Sequence, residues 1–135
     1  MLAVFFLPLS IVLHEYAHII VAELFSCPVK EIFLFSNRES YTLSFKISDV
    51  EINIGLNLIA GGMVLIDTTD STRLQKICIY AAGPLSNLIA FILISQFPFF
   101  EVAAVCELCG VIINLTPFIP NSDGNGIYKL LRQER

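Results

Sequence analysis

Both histidines of this 135-residue chain lie in one short motif, His14-Glu15-x-x-His18. Side chains four residues apart share one face of a helix, so the two imidazoles could bind the same Zn²⁺ ion. The glutamate between them could then accept a proton from a metal-bound water. The segment 1–25 around the motif is apolar, and its one further acidic or basic side chain is Glu23. Because ionisable groups at membrane depth are costly and usually mark a functional site, the motif predicts a metal site.

The composition predicts a single-domain membrane protein. Apolar residues make up 56% of the chain and charged residues only 15%, proportions that are unusual for a soluble domain of this size. The net charge of −4 argues against a nucleic-acid partner, which would require a basic patch. The four cysteines do not form the pattern of a secreted disulfide framework.

Three stretches are long and apolar enough to cross a bilayer as helices. They span about 1–25, 75–97 and 102–119. The first lacks the basic leader of a secretory signal, so we expect it to be a retained membrane helix. A tail, 124–135, follows the third.

A polar-enriched loop, 26–73, separates the first two stretches. Apolar and polar residues alternate in it over 41–47 and again over 50–58, a pattern typical of strands. The expected fold is therefore one membrane-embedded α-helical domain, 1–135. It has a core of three transmembrane helices, and a small β-sheet or hairpin, lying on or dipping into the membrane, is inserted between helices 1 and 2.

The basic residues predict the orientation of the chain. Three crossings place the loop and the tail on one side of the membrane, and all eight basic residues fall there: Lys30, Arg38, Lys46, Arg73, Lys76, Lys129, Arg132 and Arg135. The positive-inside rule makes that side the cytoplasm. We expect a multi-pass protein of a prokaryotic plasma membrane, with its site opening toward the cytoplasm.

A catalytic zinc normally takes three protein ligands and leaves one position for water. With no third histidine, the remaining ligand must be Asp, Glu or Cys. Asp123 follows Pro117 and Pro120, which break the third helix, and non-helical backbone at that depth must be buried or line a cavity. Glu107 lies at a depth that could match the histidines, whereas Asp123-Gly124 could also be a surface turn. The residues alone leave these alternatives open.

Four sequence motifs occur together in one order. They are His14-Glu15-x-x-His18, Ile59-Ala-Gly-Gly-Met-Val64, Ala82-Gly83-Pro84-x-x-Asn87 and Asn114-x-x-Pro117 followed by Asp123-Gly124. Over nearly the whole chain this order resembles the three-helix core of the site-2 protease family of intramembrane zinc metalloproteases. In the family's usual closing motif the aspartate comes one residue earlier and two glycines follow it.

The resemblance implies that Asp123 is the third ligand of one zinc ion per chain, beside His14 and His18. It also implies that Asn87 lines the site and helps to hold the substrate backbone.

A strand edge can capture an extended peptide by main-chain pairing. The candidate edge is the run Gly61, Gly62 and Met63, although an ordinary glycine turn would give the same residues.

The predicted function is that of a zinc-dependent intramembrane endopeptidase with Glu15 as general base. It would hydrolyse a peptide bond in or near a transmembrane segment or a membrane-associated peptide. The expected partners are this substrate and the lipid bilayer, and the oligomeric state stays open. One alternative is a pseudoprotease that binds a membrane segment without cutting it, which the intact Glu15 argues against. Another is a metal-handling transporter, which would be expected to show repeat symmetry that this chain lacks.

Overall fold

The computed structural model describes residues 3–36, 41–57 and 61–132. Its elements are α1 Ala3–Leu24, β1 Val29–Leu34, β2 Leu43–Ile47, β3 Val50–Ile54, β4 Gly62–Ile66, α2 Arg73–Ile94, α3 Glu101–Leu115 and α4 Asp123–Arg132. A 3₁₀ turn, Pro98–Phe100, joins α2 to α3. The predicted small sheet between the first two long helices is present.

Three described helices are long and apolar enough to cross a membrane. Their apolar spans are Phe6–Leu24, Arg73–Ile94 and Pro98–Leu115. The second of them, α2, is the central helix, since its contacts with α1, α3 and α4 are the most extensive between the described helices. A capping box starts α2, in which Thr72 and Gln75 each accept a hydrogen bond from the other's backbone N–H.

The third long helix ends before the predicted apolar stretch does. Thr116 is extended, with φ −70° and ψ 115°, because a residue that precedes a proline disfavours the helical region. The chain then turns back on itself, and the Ser122 hydroxyl donates to the Thr116 carbonyl at 2.8 Å. The same hydroxyl accepts the Asn125 N–H at 3.1 Å and so caps α4. This short helix, which the sequence analysis did not predict, therefore begins at Asp123.

Two glycines let α4 pack closely against the other helices. A Cβ atom at Gly124 would collide with the carbonyl of Leu115, and one at Gly126 would lie 2.6 Å from the ring of Tyr80. The first turn of α4 is therefore held against the end of α3 and the face of α2.

The sheet has the strand order β2-β3-β1-β4. The β1–β3 pair is parallel, and the other two pairs are antiparallel. Among the described residues β4 forms one edge, and α1 packs against both β1 and β4. This packing brings the edge strand to the helix that carries the histidine motif.

Candidate metal centre

The two histidines of α1 face each other through their Nε2 atoms. Their Nε2 atoms lie 3.2 Å apart, as expected for side chains four residues apart on a helix. Both residues are buried, with 7% of His14 and 6% of His18 exposed.

Asp123 completes the cluster from the N-terminus of α4. Its Oδ2 atom lies 3.2 Å from Nε2 of His14, and its Oδ1 atom lies 3.5 Å from Nε2 of His18. Burial opposes the ionisation of this carboxyl, but hydrogen bonds from the Nε2–H groups that the two histidines carry when doubly protonated outweigh it and hold the pKa of Asp123 below its ordinary value. The positive end of the α4 dipole also favours a carboxylate at this position.

Hydrogen bonds at the far side of each imidazole select its tautomer. Nδ1 of His18 lies 2.6 Å from the carbonyl oxygen of Ile79, and Nδ1 of His14 lies 2.5 Å from Oδ1 of Asn87. A carbonyl oxygen can only accept, so each Nδ1 carries the proton and donates. The Nε2 lone pairs are thereby left for a metal.

The three side chains fit a zinc ion. With zinc–ligand distances of about 2.0–2.1 Å, tetrahedral ligand atoms are separated by about 3.3 Å, close to the 3.2 Å between the two Nε2 atoms. Asp123 places one carboxylate oxygen 3.2 Å from His14 and the other 3.5 Å from His18, and one ligand atom from each of the three residues lies within 4.8 Å of the others. Gly83 of α2 lies directly against the cluster, and a Cβ atom there would collide with both Nε2 atoms. The glycine therefore leaves the space that the imidazoles occupy.

Glu15 and the edge strand lie beside the cluster. Glu15 is 7% exposed, and a Cβ atom at Gly62 would lie only 2.6 Å from its Cγ. A cavity of about 820 Å³ is lined by Glu15, by the three clustered side chains and by Gly62 to Ile66 of β4. The structure thus brings the predicted base, the predicted ligands and most of the predicted strand edge to one cavity.

Two predicted site residues lie farther back. Gly61, with φ 74°, is the turn residue that leads into β4, and its left-handed backbone is one that glycine adopts readily. Asn87 lies behind His14, with its amide hydrogen-bonded to His14, Ser10 and Glu107. The predicted contact between Asn87 and the substrate backbone stays a prediction.

Several polar residues that line the cavity were not predicted to be site residues. The side chains that line the cavity from the end of α3 onward are Asn114, Asn121, Ser122, Asn125 and Lys129. Asn114 was part of a recognised motif, but the amphipathic pattern of α4 was not used. Ser10 could have been found from its spacing, because it lies one helical turn before His14 on the same face.

Membrane-length helices, a paired histidine motif and a carboxylate close to both histidines are typical of a membrane-embedded metallopeptidase. The model of Peptidase family M50 matches residues 2–101, most of the chain. The chain therefore belongs to peptidase family M50, the site-2 protease family of zinc metalloproteases, as its motifs predicted. The matched region includes His14, Glu15 and His18, whereas Glu107 and Asp123 follow it. No curated protein was found to match the chain.

Proposed function

We propose that this protein is a zinc-dependent intramembrane endopeptidase that cleaves a peptide bond in or near a transmembrane segment or membrane-associated peptide. The observation that carries the proposal is the convergence of His14, His18 and Asp123 in a cavity that also contains Glu15. These three side chains would hold one Zn²⁺ per chain. Zinc, when bound, supplies an acidified water and polarises the scissile carbonyl.

Glu15 is the proposed general base. Its position one residue after a ligand keeps its carboxylate beside the cluster without making it a ligand. It would accept the proton of the attacking water and deliver it to the nitrogen of the leaving amine. The backbone of Gly62 lies against the Glu15 side chain, so a peptide held along β4 would pass directly by the base.

The edge strand β4 is the proposed substrate-binding element. One side of β4 pairs with β1. Gly62 and Met63, at the start of β4, line the cavity. A helical substrate has its carbonyls engaged, so main-chain pairing with this edge would hold it in the extended form that hydrolysis needs.

An extended peptide should therefore compete with substrate, and the same peptide N-methylated at alternate residues should not. Equal competition by both peptides would refute this role.

The sheet is proposed to lie on or dip into the membrane. Leu43, Phe45 and Ile47 of β2 are 55%, 39% and 58% exposed. Their cross-strand partners on β3 are also apolar: Ile54, Ile52 and Val50. Such a continuous apolar face supports contact with lipid. We further propose that the protein lies in a prokaryotic plasma membrane, with the cavity opening toward the cytoplasm.

Cysteine labelling tests this orientation. In a background with the four native cysteines replaced by serine, Asp70→Cys and Arg132→Cys should react with a membrane-impermeant reagent only from the cytoplasmic face. Phe99→Cys, in the exposed turn between α2 and α3, should react only from the opposite face. Detergent-permeabilised membranes are the control, in which all three positions should react. The reverse pattern in intact membranes would overturn the orientation.

Zinc-dependent cleavage tests the proposed activity. Full-length protein reconstituted in vesicles should cut a transmembrane peptide library, lose that activity when a chelator removes zinc, and recover it when zinc is restored. His14→Ala should stay inactive when zinc is added. Zinc-bound wild type that captures such peptides without cutting them would contradict the proposal and favour the non-catalytic alternative.

A further inference from the structure

A buried chain of polar side chains connects His14 to the middle of α3. Oδ1 of Asn87 lies 2.5 Å from Nδ1 of His14, and Nδ2 of Asn87 donates to Oε2 of Glu107 at 2.7 Å. Ser10 closes the network, since it accepts from Asn87 at 3.0 Å and donates to the same Glu107 oxygen at 2.9 Å. The four residues come from α1, α2 and α3.

The network is almost fully removed from solvent. Glu107 is 4% exposed, Asn87 is 5% exposed and Ser10 is 9% exposed. A carboxyl group in an apolar helix is costly to bury, so its presence among these partners calls for a role. Glu107 was one candidate for the third metal ligand, but its carboxylate contacts Ser10 and Asn87, and the metal cluster is formed by His14, His18 and Asp123.

The donor and acceptor types show what Glu107 can do. The two ends of the Asn87 amide have nearly the same shape, so only its neighbours determine which end faces His14. The Ser10 hydroxyl can donate or accept, and it would therefore tolerate either orientation. Oε2 of Glu107 accepts, so it requires the Asn87 NH₂ group on its own side. The Asn87 oxygen must then face His14.

We propose that Glu107 is a positioning residue for the metal site, acting on His14 through Asn87. By fixing the Asn87 amide it fixes the Nδ1–H tautomer and the ring plane of His14, and so directs the Nε2 lone pair to the metal. The inference rests on the proposed function in that it requires His14 to be a zinc ligand. A group that hydrogen-bonds a metal-binding histidine, as Asn87 does, typically changes metal affinity by about 10–100-fold when it is removed, and loss of Glu107 would free this group to turn away.

Zinc affinity of the purified full-length protein, measured with Zn²⁺ alone against a competing chelator, tests the proposal. Glu107→Met removes the acceptor at similar volume and should weaken zinc binding by about 10–100-fold. Glu107→Gln keeps an acceptor oxygen and should retain an affinity close to that of wild type. The matched control is Val105→Met, which changes an exposed position of the same helix and should have no effect. Wild-type affinity in Glu107→Met, or an equal loss in Val105→Met, would overturn the proposal.

A reciprocal exchange keeps the test decisive if Glu107→Met does not fold. Asn87→Asp alone places two carboxylates against each other and should weaken zinc binding by at least about tenfold. Adding Glu107→Gln returns an amide donor to the pair and should restore the affinity, a recovery that would not occur if Glu107 acted independently of Asn87. Failure of the double variant to recover would overturn the proposal.

Failure of the proposed function is distinguishable from failure of this inference. If wild type binds zinc through His14 but cuts no peptide, the endopeptidase is refuted and the positioning role is unaffected. If wild type cleaves and Glu107→Met binds zinc like wild type, only the positioning role is refuted.

Discussion

Glu15→Gln is expected to bind zinc like wild type and to cleave peptide about 10²–10⁴-fold more slowly, the typical contribution of a general base. The substitution preserves the shape of a side chain that is not a proposed ligand, so the metal should stay. It removes the carboxylate that would take the proton from water. Zinc content and single-turnover cleavage, measured on the same preparation, give both quantities.

Glu23→Gln is the matched control for this prediction. Glu23 lies on the same helix and is exposed, so its substitution should change neither zinc content nor the rate of cleavage. Cleavage near the wild-type rate in Glu15→Gln would show that Glu15 is not the base. Loss of zinc in that variant would instead move Glu15 into the ligand set.

Asp123→Ala should lose zinc as severely as His14→Ala does. The reason is that two imidazoles without the carboxylate form an incomplete site, whereas a catalytic zinc normally takes three protein ligands. Zinc content after dialysis against a weak chelator measures the effect. The loss of metal should abolish cleavage in both variants.

Glu107→Gln is the matched control here, because Glu107 is also a buried acidic residue but contacts Asn87 and Ser10 instead of the cluster. It should retain zinc. Equal zinc content in wild type and Asp123→Ala, together with loss of zinc in Glu107→Gln, would move the third ligand into α3. The motif resemblance would then have been extended to Asp123 wrongly.

The parts of the site that depend on local geometry could be predicted from the sequence. The spacing of His14 and His18 on a helix is enough to place their side chains on one face. Alternating residues likewise revealed β2 and β3, because successive side chains of a strand point to opposite faces of the sheet. Family membership followed from the order of four motifs and is confirmed over residues 2–101.

The parts that depend on contacts distant in sequence could not be predicted in the same way. The sequence left Asp123 and Glu107 as two candidates for the third metal ligand, because Asp123 follows the third apolar stretch and Glu107 interrupts it. Asp123 lies beside the histidines because the chain reverses after Thr116, where the Ser122 hydroxyl binds the end of α3 and caps α4. The link from Glu107 to His14 depends on how three helices pack, which no local pattern records.

The central claim is that one zinc ion is bound by two imidazole nitrogens and one carboxylate, and X-ray absorption spectroscopy of the zinc-loaded protein tests it most directly. Zinc–nitrogen and zinc–oxygen distances are about 2.0–2.1 Å, whereas zinc–sulfur distances are about 2.3 Å. We expect only nitrogen and oxygen neighbours in the wild-type protein, with the outer-shell scattering of two imidazoles. Sulfur neighbours, from any of the four cysteines, or outer-shell scattering from fewer than two imidazoles would contradict the account.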